Sequence, residues 1–277
     1  MGIINCTTHS FYGAVSSVEE AIQTADEMVC SGADILDIGG EATNPKVDIQ
    51  HDKPNAQQEL DCVLPIIEAI SKRFDVRLSV DTSRAEVMQA AINCGVTLIN
   101  DQRALQQPGA LSVIANAPPH VQVCLMHFFQ GRLPGSDSLE SMLKTIILDL
   151  RRVIQQCDNH GIARERLIVD PGFGQGHYGK NTAENYYLLS QLPRFKAELD
   201  NLPVLVGWSR KSMIGDVVNK PVDLRLPGSI AAATLATYLG ADILRVHDVE
   251  ATRQALAVTC ALQYALHHDS VLQTEEC

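Results

Sequence analysis

The stretch SVEEAIQTADEMVCSGADILDIGG (17–40) joins a helical pattern to a short apolar run, and this pairing decides the fold. Apolar side chains recur at helical spacing from Val18 to Val29, and Gly32 follows as a residue type that commonly ends a helix. The run DILDIGG (34–40) is nearly continuous rather than alternating, as expected of a parallel strand that is buried on both faces. The stretch therefore predicts a helix followed by a buried strand.

Similar apolar runs recur along the chain, with helical patterns between them. The eight predicted strands are GIIN (2–5), DILDIGG (34–40), VRLSVD (76–81), TLIN (97–100), VQVCLMH (121–127), RLIVD (166–170), PVLVGW (203–208) and DILRVH (242–247). Eight alternations of strand and helix predict an α/β fold, the (β/α)8 TIM barrel. A doubly wound open sheet is disfavoured because no G-x-G-x-x-G follows the first strand. No linker or repeat divides the sequence, so we expect a single domain over residues 1–277.

The composition limits the classes of partner. The 277 residues carry a formal charge of −11 without a basic stripe, which argues against nucleic-acid binding. No apolar run approaches the ~20 residues that span a bilayer, and no secretion signal is visible. The eight cysteines form no C-x-x-C pair, which favours reduced thiols over disulfides or a zinc site. We therefore expect a cytoplasmic protein that acts on small molecules, without nucleic-acid or membrane partners.

Polar or ionisable side chains end nearly every predicted strand. In a barrel these ends meet at the face where catalytic residues cluster. A single Asp at such an end is often only the cap of the next helix, as Asp81 could be, and Asp37 fits a supporting role as well as a direct one. A functional mouth explains the whole set better. Its members are Asn5, Asp37, Asp81, Asn100, Met126, His127, Asp170, the turn WSRKS (208–212), Arg245 and His247.

The chemistry of these side chains indicates the kind of ligand. The carboxylates of Asp81 and Asp170 and the amide of Asn100 can hydrogen-bond the edge of a flat heterocycle that offers adjacent N–H donors. The ends of strands seven and eight are where barrels commonly hold phosphate. The polar residues there are Ser209, Lys211, Ser212, Arg245 and His247. The residues thus predict a nitrogen-rich planar ring on one side and a phosphate-type leaving group on the other.

Eight segments, in order, carry a resemblance to a known family. They are MGIINCT, GADILDIGGEATNP, LSVDTSRAEVMQAA, LIND, CLMH, LIVDPGFGQG, LVGWSRKSMIG and GADILRVHDV. The chain resembles the dihydropteroate synthases, pterin-binding barrel enzymes of folate biosynthesis, and SRKSMIG and RVHDV are the most specific parts. The resemblance implies condensation of 6-hydroxymethyl-7,8-dihydropterin diphosphate with 4-aminobenzoate, with release of diphosphate and assistance from Mg2+. It also implies a sulfonamide target and a homodimer that pairs through its last helices.

The resemblance implies a pterin site at three strand ends. Asp81, Asn100 and Asp170 would hold the pterin, and Met126 and Gly207 would line its slot. Loss of diphosphate would leave a cationic pterin methylene, which the two carboxylates would stabilise. No Ser-His-Asp arrangement is expected, because the nucleophile is the amine of the second substrate.

The resemblance also implies roles on the side of the diphosphate and the aminobenzoate. Lys211, which we expect to be catalytic with the two carboxylates, would bridge the two substrate sites, and Arg245 would lie along the pterin face. Asn5 would bind the Mg2+ and, with His247, the diphosphate. Mg2+, Arg245 and His247 would stabilise the departing charge. The residues that would border the aminobenzoate are Thr43 and Ser212.

Three features depart from the family pattern. Asn44 stands where members usually carry Arg, which removes a cation expected to grip the diphosphate; sulfonamide-insensitive relatives also vary at this position. Thr8 and His9 replace a Pro-Asp pair in the first loop. The sixth loop, DPGFGQGHYGKN (170–181), is about three residues longer than in the family, and either Tyr178 or Gln175 could stand beside the aminobenzoate.

Two other functions are compatible with parts of this pattern. A pterin-dependent methyltransferase that serves a corrinoid protein would share the Asp, Asn and Asp set but would not need SRKS. A divergent pterin-binding paralogue with weak or no turnover is suggested by Asn44 and by the altered first loop.

Some residues have simpler expectations. Arg210 is expected to brace its loop rather than to touch substrate, and Trp208 to seal the top of the barrel. One apolar face of the last helix is explained equally well by core burial and by a dimer interface. Its residues are Ala255, Val258, Leu262 and Ala265.

Overall fold

Eight parallel strands form the centre of the part of the chain that the structure describes. The computed structural model describes residues 1–6, 13–40, 54–129 and 138–272, without the side chains of residues 177 and 267–272. The strands are β1 (Gly2–Asn5), β2 (Ile35–Gly39), β3 (Arg77–Asp81), β4 (Leu98–Asp101), β5 (Gln122–Met126), β6 (Leu167–Asp170), β7 (Leu205–Val206) and β8 (Ile243–Leu244). Each of the eight predicted strands is therefore confirmed.

The strands close into a barrel. β1 to β6 form one parallel sheet in sequence order, and β7 pairs in parallel with β8. Single bridges join the two sheets at both seams, Val169 to Val204 and Gly2 to Val246. Backbone hydrogen bonds of 2.9 to 3.0 Å support these seams. The predicted (β/α)8 TIM barrel is confirmed.

The last two strands are shorter than predicted. β7 and β8 have two residues each, whereas the sequence predicts 203–208 and 242–247. Pro203 has no N–H to donate to a ladder, and Gly207 has no side chain to pack on a strand face. The chain therefore leaves the sheet early on both sides of β7, and β8 has only this short partner on that side.

Helices surround the strands. Those in the described part of the chain are α1 (Val18–Cys30), α2 (Ala56–Ser71), α3 (Ala85–Asn93), α4 (Ala110–Asn116), α5 (Leu139–Asn159), α6 (Thr182–Ser190), α7 (Leu192–Glu198), α8 (Ser212–Val218), α9 (Leu226–Tyr238) and α10 (Val249–Leu272). Ser17 and Ser138 cap α1 and α5 by accepting backbone N–H groups three residues on, both at 3.1 Å. Gly32 and Gly161, with φ of +85° and +75°, follow the same two helices.

Apolar side chains fill two separate spaces. The larger cluster lies between the strands and the surrounding helices. The second cluster comes from five of the strands, β2 and β4 to β7, and consists of Ile35, Leu98, Cys124, Ile168 and Leu205, with Met1 and Ile243 packed against it. Small eight-stranded barrels are filled by side chains in this way. A ligand must therefore bind at the mouth and not in a central channel.

The cysteines of the described residues are free thiols, as the sequence predicts. Cys124 and Cys157 are buried and act as small apolar side chains. Within the described ranges, none of the helices combines the length and the apolar character that crossing a bilayer requires.

Gly172, just after β6, occupies a position that a side chain cannot share. Its φ is +74°, and a Cβ atom there would lie 1.9 Å from the carbonyl oxygen of His127. Gly161 has nearly the same φ, +75°, but no heavy atom within 4 Å of a Cβ. We expect Gly161→Ala to cost ~1–2 kcal/mol, for the left-handed backbone alone. Gly172→Ala should cost clearly more, because the loops after β5 and β6 must move apart.

The free energies of unfolding of both variants, measured by urea denaturation, test this difference. Equal costs for the two substitutions would contradict the close approach of the two loops.

Candidate active site

The register of the first four strands brings polar side chains to one level of the barrel mouth. Asn5 pairs with Gly39, Gly39 with Asp81, and Asp81 with Asn100. A Cβ atom on Gly39 would lie 3.4 Å from the Cβ of Asp81, so the glycine leaves room between its neighbours. Three residues that the sequence predicts for the site therefore lie side by side.

Asp37 of β2 holds this level together from below. Its carboxylate is fully buried. It accepts hydrogen bonds from the hydroxyl of Ser79 at 2.5 Å, the amide of Asn100 at 3.1 Å and Nε of Arg245 at 2.6 Å. The sequence left Asp37 open between a direct and a supporting role. All three contacts are with protein groups, so Asp37 is a positioning residue for Asn100 and Arg245.

Asp81 contacts both a cation and an amide. Its Oδ2 accepts from Nη2 of Arg245 at 2.9 Å. Nε2 of Gln102 lies 2.9 Å from Oδ1 and 3.0 Å from Oδ2. Asp81 does not cap the next helix, since the residue before α3 is Arg84. Its carboxylate belongs to the mouth, as predicted, and Gln102 is a neighbour that the sequence did not predict.

Asp170 ends β6 and keeps one oxygen for a ligand. Its Oδ1 accepts the backbone N–H of Gly172 at 2.7 Å. No donor within the described residues contacts its Oδ2. Burial raises the pKa of this carboxyl, and the nearby ammonium of Lys211 opposes that shift. Met126, the strand partner of Asp170 on β5, is 5% exposed.

Lys211 comes to the mouth from the end of β7. Its Nζ donates to the carbonyl oxygen of Phe173 at 2.6 Å and lies 5.1 Å from the ring centroid of Tyr178. Burial lowers the pKa of this ammonium to about 8. A Cβ atom on Gly207 would lie 3.9 Å from Nζ of Lys211 and 3.8 Å from Cβ of Arg245. The glycine thus keeps a slot open between the two cations.

The neighbouring Arg210 points to a different set of partners. It donates to both carboxylate oxygens of Asp248, at 2.7 and 2.8 Å, and to the carbonyls of Val222 and Asp223 at 3.1 Å. Its backbone is left-handed, with φ of +56°. The prediction that Arg210 braces its loop is confirmed.

His247 is close to Ser209 at the end of β8. The hydroxyl of Ser209 accepts the backbone N–H of His247 at 3.2 Å and lies 2.9 Å from Nδ1. Burial, and then the charge of Arg245, lower the pKa of His247 to about 3. The ring is therefore neutral near pH 7. The neutral ring can offer a ligand a hydrogen bond but no positive charge.

Ser212 begins α8, directly after Lys211. Trp208 is 2% exposed and packs edge-on against Phe173 and Tyr186, at centroid distances of 5.3 and 5.0 Å, as expected of a residue that seals the barrel top. The predicted or discussed positions that lie outside the described residues are Thr8, His9, Thr43 and Asn44.

The longer sixth loop brings Tyr178, and not Gln175, to Lys211. Gln175 donates to Asp216 of α8 at 2.6 Å. The hydroxyl of Tyr178 donates to Oε1 of Gln102 at 3.1 Å, while its ring faces the ammonium of Lys211. Of the two residues that the sequence left open, Tyr178 is the one that lies beside Lys211.

The protein atoms at the mouth that could act as metal ligands can be compared with the coordination shell that Mg2+ prefers. Within the described ranges, no three His, Cys, Asp or Glu side chains are grouped to hold a metal ion. Asn5 offers one carboxamide oxygen at the end of β1. Mg2+ in phosphate-handling sites commonly takes one or two protein oxygens and completes its shell with water and phosphate oxygens. The residues present fit a metal that arrives with a diphosphate.

Comparison with known proteins adds a second line of observation. A family model described as pterin binding enzyme matches residues 1–247. The dihydropteroate synthase of Escherichia coli is 42% identical over 264 residues, which cover 93% of this chain and 89% of that protein. The dihydropteroate synthase of Haemophilus influenzae is 43% identical over 263 residues, which cover 93% and 91%.

Solved structures give the same result. A dihydropteroate synthase from Coxiella burnetii in complex with pteroic acid superposes with a TM-score of 0.87 at 53% identity, covering 94% of this chain and 91% of that one. The Yersinia pestis dihydropteroate synthase with a sulfonamide drug superposes with a TM-score of 0.86 at 42% identity, covering 96% and 93%.

Asp37→Asn tests the supporting role of the buried carboxylate. The substitution removes one of the two counter-charges of Arg245 while keeping the size of the side chain. We expect a loss of about 3 kcal/mol in the free energy of unfolding, at the lower end of the range for a broken buried ion pair because Asp81 still faces Arg245.

The matched control is Asp200→Asn, which breaks the surface ion pair between Asp200 and Arg164. The side chain of Asp200 is 71% exposed and that of Arg164 is 44% exposed. It should cost only ~0–1 kcal/mol. Urea denaturation of both variants gives the comparison, and a cost for Asp37→Asn no larger than the control would remove Asp37 from this role.

Proposed function

The chain belongs to the pterin-binding enzyme family, and from this membership we propose how it acts. It is a transferase with dihydropteroate synthase activity. It condenses 6-hydroxymethyl-7,8-dihydropterin diphosphate with 4-aminobenzoate and gives 7,8-dihydropteroate and diphosphate. The observation that carries the residue assignments is the pair of strand-end carboxylates, Asp81 and Asp170, whose charges act on Lys211 across the mouth.

The pterin ring is held by its N–H edge. The open oxygen of Asp170 and the carboxylate of Asp81 accept from adjacent ring and amino N–H groups, a pairing that a carboxylate can make in bidentate fashion. Asn100, oriented by Asp37, adds a carboxamide. Met126 and Gly207 line the faces of the slot.

Arg245 stacks on the pterin rather than grips the diphosphate. Its Nε and Nη2 atoms are committed to Asp37 and Asp81. A guanidinium held flat by two carboxylates presents a planar face, which suits stacking on an aromatic ring. The sequence predicts that Arg245 also stabilises the departing charge. With two of its nitrogens committed to carboxylates, we assign Arg245 to the pterin ring and not to the diphosphate.

The aminobenzoate occupies the side of the mouth near Lys211. Lys211 contacts both substrates, the ring of Tyr178 forms one wall, and Ser212 lies at the border, a role that the family pattern also implies for Thr43. The protein is a sulfonamide target, and we propose that these drugs occupy the aminobenzoate position, where they compete for Lys211.

The diphosphate lies between the ends of β1 and β8. Asn5 and the neutral ring of His247 hydrogen-bond it; the hydroxyl of Ser209 can donate to Nδ1 of His247, which leaves the proton on Nε2 for the anion. Asn5 would also hold Mg2+, which when bound supplies positive charge to the diphosphate oxygens.

The reaction exchanges one bond at the pterin methylene carbon. The bond from this carbon to the diphosphate oxygen breaks, and its electron pair leaves with the oxygen. Asp81 and Asp170 stabilise the positive charge that remains on the pterin. The lone pair of the aminobenzoate nitrogen then forms the new carbon–nitrogen bond, and one N–H proton is released. The chain needs no nucleophile of its own.

We further propose a homodimer through α9 and α10. Val258 is 73% exposed and Leu262 is 52% exposed, so core burial does not explain these two. Other large apolar side chains on the two helices are more than half exposed, and they are Leu235, Tyr238, Tyr264 and Leu266. An exposed apolar face of this kind is typical of a protein interface.

We also propose that the protein works in the cytoplasm. Its described cysteines are free thiols, which suits a reducing compartment. Its formal charge of −11 and its small substrates give no reason to invoke nucleic acid or membrane as partners.

Release of diphosphate from 6-hydroxymethyl-7,8-dihydropterin diphosphate, measured with and without 4-aminobenzoate, tests the activity. Amine-dependent release with formation of dihydropteroate is the expected result. No release in either condition would contradict the activity.

Lys211→Ala should fold but lose roughly 100-fold or more in kcat/KM, because a positioned charge at the reacting centre is removed. The wild-type kcat/KM should fall as the pH rises through about 8, where Lys211 loses its proton. Lys196→Ala, which removes a lysine paired with Asp242 outside the mouth, is the control.

Burial also lowers the pKa of Lys180 to about 8, so the pH profile is repeated with Lys180→Met. Near-normal activity of Lys211→Ala would contradict the role assigned to Lys211. So would a pH profile in which the fall in kcat/KM above about pH 8 disappears in Lys180→Met, because that fall would then come from Lys180.

Leu262→Glu should convert the dimer to a monomer, because a buried unpaired carboxylate would be costly at the interface. Leu148→Glu, at a position on α5 that is 49% exposed, is the control and should remain dimeric. Analytical ultracentrifugation measures both. A wild-type protein that is monomeric at micromolar concentration, or a dimeric Leu262→Glu, would contradict this interface.

A further inference from the structure

Gln102, in the loop just after β4, lies in front of the carboxylate of Asp81. Its Nε2 lies 2.9 Å from one carboxylate oxygen and 3.0 Å from the other. A nitrogen equidistant from both oxygens lies in front of the carboxylate, between them. Arg245 approaches only Oδ2, at 2.9 Å. The position of Gln102 is therefore the one that a bidentate N–H donor would take.

Tyr178 holds Gln102 in this position. The hydroxyl of Tyr178 donates to Oε1 of Gln102 at 3.1 Å. Its ring packs edge-on against Phe128 at a centroid distance of 6.1 Å and faces Lys211 at 5.1 Å. A Cβ atom on Gly174 would lie 2.6 Å from the ring, so the glycine makes room for it. The orientation of Gln102 is thus fixed at both ends of its amide.

We propose that, in the free protein, the side-chain amide of Gln102 occupies the place on Asp81 that the pterin takes when it binds, and that the hydroxyl of Tyr178 holds the amide there. The inference rests on the proposed function, in which Asp81 accepts the N–H edge of the pterin. The ring and Nε2 of Gln102 cannot occupy the same edge of one carboxylate. Pterin binding therefore displaces the amide from Asp81 and breaks or moves its contact with Tyr178.

The displacement of Gln102 couples the pterin side of the site to the aminobenzoate side. The contact between the hydroxyl of Tyr178 and Gln102 is lost when Gln102 moves, and the ring of Tyr178 then adjusts to the aminobenzoate beside Lys211. In the free protein the same contacts keep the carboxylate of Asp81 paired. Gln102 thus sets the affinity for pterin by competition, and Tyr178 affects pterin binding through Gln102.

Two residues of the same types serve as matched controls because they lie away from the mouth. Gln106, four residues after Gln102, donates to Ala104 and to Gln156 at an exposed position. Tyr187 of α6 donates to Glu140 at 3.1 Å. Neither has a contact with Asp81, so their substitution should leave pterin binding unchanged.

Isothermal titration with 6-hydroxymethylpterin, which lacks the diphosphate, tests the competition. Gln102→Leu should bind roughly tenfold more tightly than wild type, because no internal hydrogen bond to a charged group has to be broken. Tyr178→Phe should bind about threefold more tightly. The double variant should bind no more tightly than Gln102→Leu, whereas Gln106→Leu and Tyr187→Phe should match wild type.

Thermal unfolding confirms that each variant is folded, and Gln102→Ala replaces Gln102→Leu if the latter is not. Unchanged or weaker pterin binding by the folded Gln102 variant overturns the inference, as does an additive effect in the double variant. Absence of pterin binding by the wild type overturns the proposed function itself, and the inference with it.

Discussion

The buried carboxylate of Asp37 is the constraint on which the barrel mouth depends. An ion in a closed barrel must be matched by a counter-charge and by hydrogen bonds, because its desolvation is costly. Ser79, Asn100 and Arg245 supply these from β3, β4 and the end of β8. The contacts that stabilise Asp37 also constrain its partners. The groups that satisfy Asp37 lose their freedom to rotate, and two of them are then presented to a ligand in fixed orientations.

The need for counter-charges also distinguishes the cations near the mouth, since in the described part of the chain some are paired with carboxylates and Lys211 is not. Arg210 and Lys211 are adjacent in sequence, yet Arg210 is neutralised by Asp248. Lys211 donates to the carbonyl of Phe173 and makes no ion pair within the described residues. Arg245 is neutralised twice, by Asp37 and Asp81. Lys211 therefore keeps its charge for a ligand, while the two arginines act as rigid parts of the site.

Much of this could be predicted from the sequence, because buried parallel strands and strand-end polar residues leave local patterns. The barrel, Asp81, Asn100, Asp170 and the separation of Arg210 from Lys211 were all predicted, and the family that the motifs indicated is confirmed.

The parts that were missed depend on distant contacts. Gln102 has no local signal, since its role arises from residues 21 and 76 positions away, Asp81 and Tyr178. The neutral state of His247 follows from burial, which spacing does not reveal. Asp37 was visible as an acid inside an apolar strand, and only its hydrogen-bond partners show that it supports other side chains rather than binds a ligand.

A crystal structure with bound 7,8-dihydropteroate is the most direct measurement of the central claim, that this level of strand-end side chains is the pterin site. We expect the pterin N–H edge on Asp170 and Asp81, the ring against Arg245, and the benzoate beside Lys211 and Tyr178. A pterin that contacts neither carboxylate would contradict it.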